Sequence, residues 1–113
     1  MQELSTILRA GLSPVVVVVD NAGYTVERAI HGADQPYNDI AEWDWTAAPA
    51  LFAPGRVSVA RRVTTAGELD QALRAAAASP GELALIQAVV PRMDVPELLD
   101  TLARAASAAN ARR

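Results

Sequence analysis

The chain has 113 residues, a net charge of −3, no cysteine and a single histidine, and half of it (51%) is hydrophobic. That is one domain's worth of globular sequence, residues 1–113. It excludes disulfides and thiolate metal sites, leaves any metal mostly to oxygen ligands, and gives no basic footprint for nucleic acid. The valine run at residues 15–19 is far too short to span a membrane. The start Met1-Gln-Glu-Leu has neither the basic nor the apolar region of a signal peptide, so a cytoplasmic location is expected.

The spacing of Leu4, Ile7 and Leu8 predicts a helix over residues 2–10, with Gly11 at the C′ position. In a βαβ unit this helix would join an earlier strand to the next one. An upstream strand is therefore expected to be missing, and the first helix to expose apolar surface that favours self-association. Val15–Val19 reads as a parallel strand buried on both faces. Tyr24-Thr-Val-Glu-Arg-Ala-Ile30 has helical spacing, and residues 32–45 form a long irregular loop of the kind that is often functional or packed on a partner. Trp45 to Phe52 is expected to be a short helix ended by Pro54-Gly55, and Val57–Val63 a strand with Val57 and Val59 on one face.

Thr65 and Glu68 form a capping box for a helix whose buried stripe is Leu69, Ala72, Leu73 and Ala76. Leu83 to Val90 is a second buried strand. Asp94 to Glu97, with Pro96, caps a last helix with a core face of Leu98, Leu99, Leu102 and Ala106, and the Ala-rich tail after Ala103 is expected to fray. The order α-β-α-loop-α-β-α-β-α predicts an α/β layered fold with a parallel sheet.

In open α/β sheets ligands sit at the carboxyl ends of strands. Here that corner is Asp20-Asn-Ala-Gly-Tyr-Thr-Val-Glu27. Asn21 offers a neutral oxygen, and Gly23 a backbone carbonyl with no Cβ beside it. A hard cation such as Mg2+ takes a few protein oxygens and completes its shell with phosphates and water. The helix opening near Tyr24 would present amides to an anion. Glu27 would suit acid–base work if Val26 and Ile30 bury it and raise its pKa. Asn-x-Gly is also a common turn, and spacing alone does not separate the two readings.

The wording of the stretch does. Asp20-Asn-Ala-Gly-Tyr-Thr-Val-Glu-Arg-Ala-Ile-His-Gly32, continued by Gln35-Pro-Tyr-Asn-Asp-Ile40 and Trp43-Asp-Trp45, resembles thiamine diphosphate-dependent 2-oxo acid decarboxylases. Indolepyruvate and phenylpyruvate decarboxylases are the closest in kind, and pyruvate decarboxylase is more distant. The likeness runs along the whole chain, through Pro91 and Asp94-Val-Pro96, and corresponds to the C-terminal part of the diphosphate-binding domain, a three-layer parallel sheet.

The resemblance implies that Asn21 would ligate Mg2+ through its side-chain oxygen and Gly23 through its carbonyl. Asn21, Ala22, Gly23, Tyr24, Thr25 and Val26 would line the cofactor diphosphate. Val26 would also border the substrate pocket, and Glu27 would be the catalytic acid in the decarboxylation of a 2-oxo acid to an aldehyde and CO2. The family usually has Asn-Asn where this chain has Asp20-Asn21. Its Gly-Asp-Gly, with the third metal ligand, would fall upstream of Met1, and the pyrimidine-binding domain is likewise expected to be missing. The chain thus reads as a fragment, inactive alone, of an enzyme that is a homodimer or homotetramer at full length. The rival reading is a non-catalytic α/β binding or assembly module that keeps the fold.

Other residues have ordinary structural readings. His31 lies one turn beyond Glu27 and is read as structural. Trp43, Trp45 and Phe52 are read as packing residues. Asp34, Asp39, Glu42 and Asp44 are read as a solvated loop, and Arg61-Arg62 as a charged strand edge.

Overall fold

The computed structural model describes residues 2–52 and 57–110. In chain order it contains α1 (Gln2–Arg9), β1 (Val15–Asp20), α2 (Thr25–His31), α3 (Ala48–Phe52), β2 (Val57–Val63), α4 (Ala66–Ala77), β3 (Leu83–Val89) and α5 (Glu97–Asn110), with 3-10 turns at Pro36–Asn38 and Trp45–Ala47. This is the alternation that the apolar periodicity predicts. The expected helix stop at Pro54-Gly55 lies outside the described residues. No helix among them is long and apolar enough to cross a membrane. The chain divides into two compact units, Met1–Asp20 with Trp43–Val89, and Asn21–Glu42 with Val90–Arg113.

The first unit is a three-layer α/β sandwich. Its sheet is parallel, in the order β1-β3-β2. On one face Leu83 and Leu85 of β3, Val16 and Val18 of β1 and Val57 of β2 pack under Leu4 and Leu8 of α1, with Trp45 and Ala48 beside them. On the other face Ala84 and Ile86 of β3 and Val59 and Val63 of β2 pack under Ala72 and Ala76 of α4. Leu83, Leu85 and Ile86 are fully buried, and burial of each such side chain stabilises by ~1.5–3 kcal/mol. The ends of the covering helices follow the sequence signals. Gly11 takes φ +70°, and the bonds Leu12 N–H to Ile7 O (3.1 Å) and Gly11 N–H to Leu8 O (3.2 Å) make a Schellman motif. The capping box of α4 is complete: Thr65 Oγ1 accepts from the Glu68 amide, and the Glu68 carboxylate accepts from the Thr65 amide.

Four expectations about this unit are corrected. The strand buried on both faces is β3, which is central. β1 lies at the edge, and Val15, Val17 and Val19 are 47%, 46% and 64% exposed. The alternate valines Val16 and Val18 meet the α1 layer, whereas α4 lies over β2 and β3. A run apolar on both faces signals a capacity for burial, not burial itself. The α1 helix is accordingly not the exposed apolar surface, because Leu4 and Leu8 are buried. Val57 and Val59 do not share a face. The pairings Val57↔Leu83 and Val59↔Ala84 show a bulge between them, and the extra residue turns Val59 to the α4 layer. In α4, Leu73 is exposed, and the packed stripe is Leu69, Ala72 and Ala76.

In the second unit α2 packs against α5. The inner positions of α5 are Leu99, Ala103 and Ala106, while Leu98 and Leu102 are 72% and 58% exposed. The expected core face of α5 is therefore rotated by about one residue. Its first intrahelical bond runs from the Asp100 amide to the Pro96 carbonyl, so the helix begins after Pro96 and not at an Asp94 cap. The helix continues through Asn110, past the point at which fraying is expected.

Candidate functional site

The carboxyl end of β1 is pinned by a buried amide: Gln87 Nε2, from the central strand, donates to Asp20 Oδ2 at 2.7 Å. The next residue, Asn21, opens the second unit. Between Asn21 and α2 the backbone leaves the ordinary regions twice. Ala22 has φ +57° and Gly23 φ +146°. A left-handed alanine costs on the order of 1 kcal/mol, so this turn needs outside support.

Arg28 supplies that support from the first full turn of α2. Its residue exposure is 2%. Nη1 donates to the Asn21 carbonyl at 3.2 Å, and Nη2 donates to the Ala22 carbonyl at 2.6 Å and to Asp39 Oδ1 at 2.6 Å. The loop closes over the same turn. The Tyr24 amide donates to the Asn38 carbonyl at 2.9 Å, and Gly23 and Asp39 form an isolated antiparallel bridge. With Tyr24 bonded to Asn38, Gly23 and Asp39 are the non-hydrogen-bonded pair, so the Gly23 carbonyl is not spent on the bridge. A Cβ at Gly23 would collide with the Asn38 carbonyl and the Arg28 guanidinium. Only glycine fits this cradle.

A second arginine holds the far side of the loop. Arg92 donates to the Ala33 carbonyl, lies 3.9 Å from Asp34 and 4.0 Å from Asp39, and accepts through its own carbonyl the hydroxyl of Thr25 at 2.8 Å. Asn38 is buried beneath.

The residues singled out in the sequence take these positions. Asn21 is half-buried, and its side-chain amide makes no hydrogen bond to another described residue. Tyr24 stands at the N-cap of α2 without a side-chain cap bond. Thr25 and Arg28, one turn apart, face inward, whereas Val26 and Glu27 lie on the open side of α2. The burial of Glu27 by Val26 and Ile30 is thus not met within this chain. Glu27 Oε2 instead lies 3.4 Å from His31 Nε2, both groups about half exposed. Trp43 and Trp45 pack as a tilted pair, ring centroids 5.2 Å apart and planes at 38°, with Trp45 against the sheet core. Among the described residues no group of three or more His, Asp or Glu side chains could hold a metal. A cavity of about 190 Å3 beside α1, lined by Leu4, Ile7, Val16, Val18 and Trp45 among others, is apolar apart from Glu3 and lacks a polar constellation.

Sequence reasoning does not find Arg28, Asp39 or Arg92. The one available signal is an arginine set between Val26 and Ile30, with a left-handed corner before it and an aspartate-bearing loop after it.

Residues 1–88 match the family described as thiamine pyrophosphate enzyme, C-terminal TPP binding domain. The chain is 52% identical over 107 residues to an alpha-keto-acid decarboxylase of Mycolicibacterium paratuberculosis, covering 95% of this chain and 19% of that protein. It is 51% identical over 102 residues to an alpha-keto-acid decarboxylase of Mycobacterium tuberculosis, covering 90% and 18%, and 47% identical over 110 residues to one of Mycobacterium leprae, covering 97% and 19%. The chain spans about a fifth of the length of these curated relatives.

Proposed function

The chain belongs to the C-terminal thiamine pyrophosphate-binding domain family of thiamine pyrophosphate enzymes, and from that premise we propose that it supplies the diphosphate-anchoring corner of a cytoplasmic, magnesium-dependent 2-oxo acid decarboxylase. The observation that carries this reading is the Asn21–Gly23 corner, held in shape by Arg28 and open to no side chain at Gly23.

The donor set fits the group. Asn21 would offer its side-chain oxygen to Mg2+, and Gly23 its carbonyl. Two neutral oxygens leave the charge of the cation to be balanced by phosphate and by the aspartate that the resemblance puts upstream of Met1, since Mg2+ is ordinarily bound by one or two carboxylates together with phosphates. Asn21 to Val26 would line the diphosphate, with Val26 also bordering the substrate pocket. Thiamine diphosphate, when bound, supplies the electron sink for loss of CO2. Glu27 moves the protons that accompany that loss and the release of the aldehyde. Its position in the first turn of α2 sets it four residues beyond Gly23 and six beyond Asn21, with His31 as its neighbour.

The substrate class is a 2-oxo acid of the indolepyruvate, phenylpyruvate or pyruvate type, turned over by a longer protein that is a homodimer or homotetramer and carries the N-terminal domains. The 113-residue chain alone does not decarboxylate. Titration calorimetry of the chain with thiamine diphosphate and Mg2+ tests the corner: binding that requires Mg2+ and is lost in Asn21→Ala is expected, and binding indifferent to that substitution would overturn it. In the longer protein, turnover that survives Glu27→Gln would remove Glu27 from the proton chemistry.

A further inference from the structure

We infer that Arg28 is the positioning residue of the corner: its buried guanidinium sets the two peptide planes on either side of Ala22 and makes the loop at residues 35–39 a working part of the site. The inference rests on the reading of Asn21 and Gly23 as the metal corner.

Four observations converge on it. The guanidinium bonds the carbonyls of Asn21 and Ala22, which are the two peptides that lead into Gly23. Those bonds fix the two peptides that flank Ala22, and the Tyr24 amide bond to the Asn38 carbonyl fixes the next peptide, from which the Gly23 carbonyl emerges. The same Nη2 reaches Asp39, so the loop is tied to the corner through one group. The Asn38 carbonyl then takes the Tyr24 amide, so Asp39 and Asn38 brace the turn from two adjacent positions. Finally, Arg28 is expensive as mere filling. It is 2% exposed, its Nε has no partner among the described residues, and its counter-ion Asp39 is itself more than half exposed. Apolar residues of similar volume often replace buried ion pairs at no loss of stability. A fold that needed only volume here would be served by methionine or leucine. A planar fork with several donors, by contrast, can hold two carbonyls and a carboxylate at once.

The test uses the 113-residue chain and the variants Arg28→Met, Arg28→Lys and Asp39→Asn, with three readouts. The carbonyl 13C shifts of Asn21 and Ala22 and the exchange rate of the Tyr24 amide report the corner without any ligand. Urea unfolding reports global stability. Calorimetry with Mg2+ and thiamine diphosphate reports binding. Arg28→Met is expected to move both carbonyl shifts and to speed Tyr24 exchange at least about tenfold, while the unfolding midpoint stays within error or rises. Its affinity for the cofactor should fall at least about tenfold. Arg28→Lys should retain one carbonyl bond and recover part of the affinity, and Asp39→Asn should disturb the loop more than the carbonyls.

Unchanged carbonyl shifts, or a binding loss that merely follows the unfolding midpoint across the three variants, would overturn the assignment. If Arg28→Met unfolds, Arg28→Lys and Asp39→Asn decide by the same shifts. Failure of the wild-type chain to bind Mg2+ and thiamine diphosphate would count against the metal-corner reading instead. In that case the carbonyl shifts and Tyr24 exchange would still decide whether Arg28 sets the corner.

Discussion

Gln87 and Asp20 join the middle of the sheet to the tip of its edge strand: the amide nitrogen of a side chain buried on β3 lies 2.7 Å from a carboxylate oxygen of the last residue of β1. Val18 and Gln87 are strand neighbours, so the bond reaches two residues along β1. Gln87→Leu is expected to lower stability by ~1–2 kcal/mol, because a partly buried carboxylate loses a donor. Asp20→Asn keeps an acceptor and should cost less. Urea unfolding of the two variants checks the order.

Gly23 and Ala22 should respond in opposite senses. Gly23→Ala places a methyl group against the Asn38 carbonyl and the Arg28 guanidinium, and the resulting clash should cost ~2 kcal/mol or more. Ala22→Gly removes the left-handed strain at φ +57° and should be neutral or stabilising by up to ~1 kcal/mol. Chemical denaturation measures both. A tolerated Gly23→Ala would show that the loop at Asn38 yields freely.

The capping box of α4 gives a pH dependence of known sign. The Thr64 backbone amide first, and then the Thr64 hydroxyl and the Thr65 amide, hold the Glu68 carboxyl below its ordinary value of 4.5. A carboxylate favoured in the folded state adds stability above its unfolded pKa and loses it as the pH falls through the lower, folded one. Wild type should therefore lose thermal stability relative to Glu68→Gln on acidification below about pH 4.5. Above that range wild type should be the more stable of the two. Melting curves from pH 7 to pH 3 test this, and parallel curves would show that the box has no charge component.

The bare valines of β1 predict association. Val15, Val17 and Val19 line one face of an edge strand, and exposed apolar edges pair with other chains. Sedimentation velocity should show self-association rising with concentration, reduced in Val17→Thr and further in a Val17→Lys variant. The same substitutions at Val16 or Val18, which pack under α1, should unfold the unit instead.

Most of the fold is legible in the sequence because its signals are local. Gly11, Thr65 and Glu68 announce helix ends through their own backbone chemistry, and the apolar runs announce strands. The misread features depend on partners distant in the chain. Whether a valine run is central or at an edge depends on what pairs beside it. Val57 and Val59 change faces because of a bulge that no residue type requires. Asn-x-Gly is a common turn, so the corner at Asn21–Gly23 is visible through the resemblance of the whole stretch, and its brace is not visible at all. A charge in a helix reads as solvent-facing until Asp39 and two carbonyls are seen to surround it.

The bulge in β2 makes the strand a parity device. Upstream of it Val57 belongs to the layer under α1, and downstream Val59 and Val63 belong to the layer under α4. Deleting the single residue between them would remove the bulge and leave both valines on their present faces, because adjacent strand residues alternate in any case. The bulge is thus the point at which β2 can lose one residue, whereas a one-residue change elsewhere in the strand would invert the faces on one side of it.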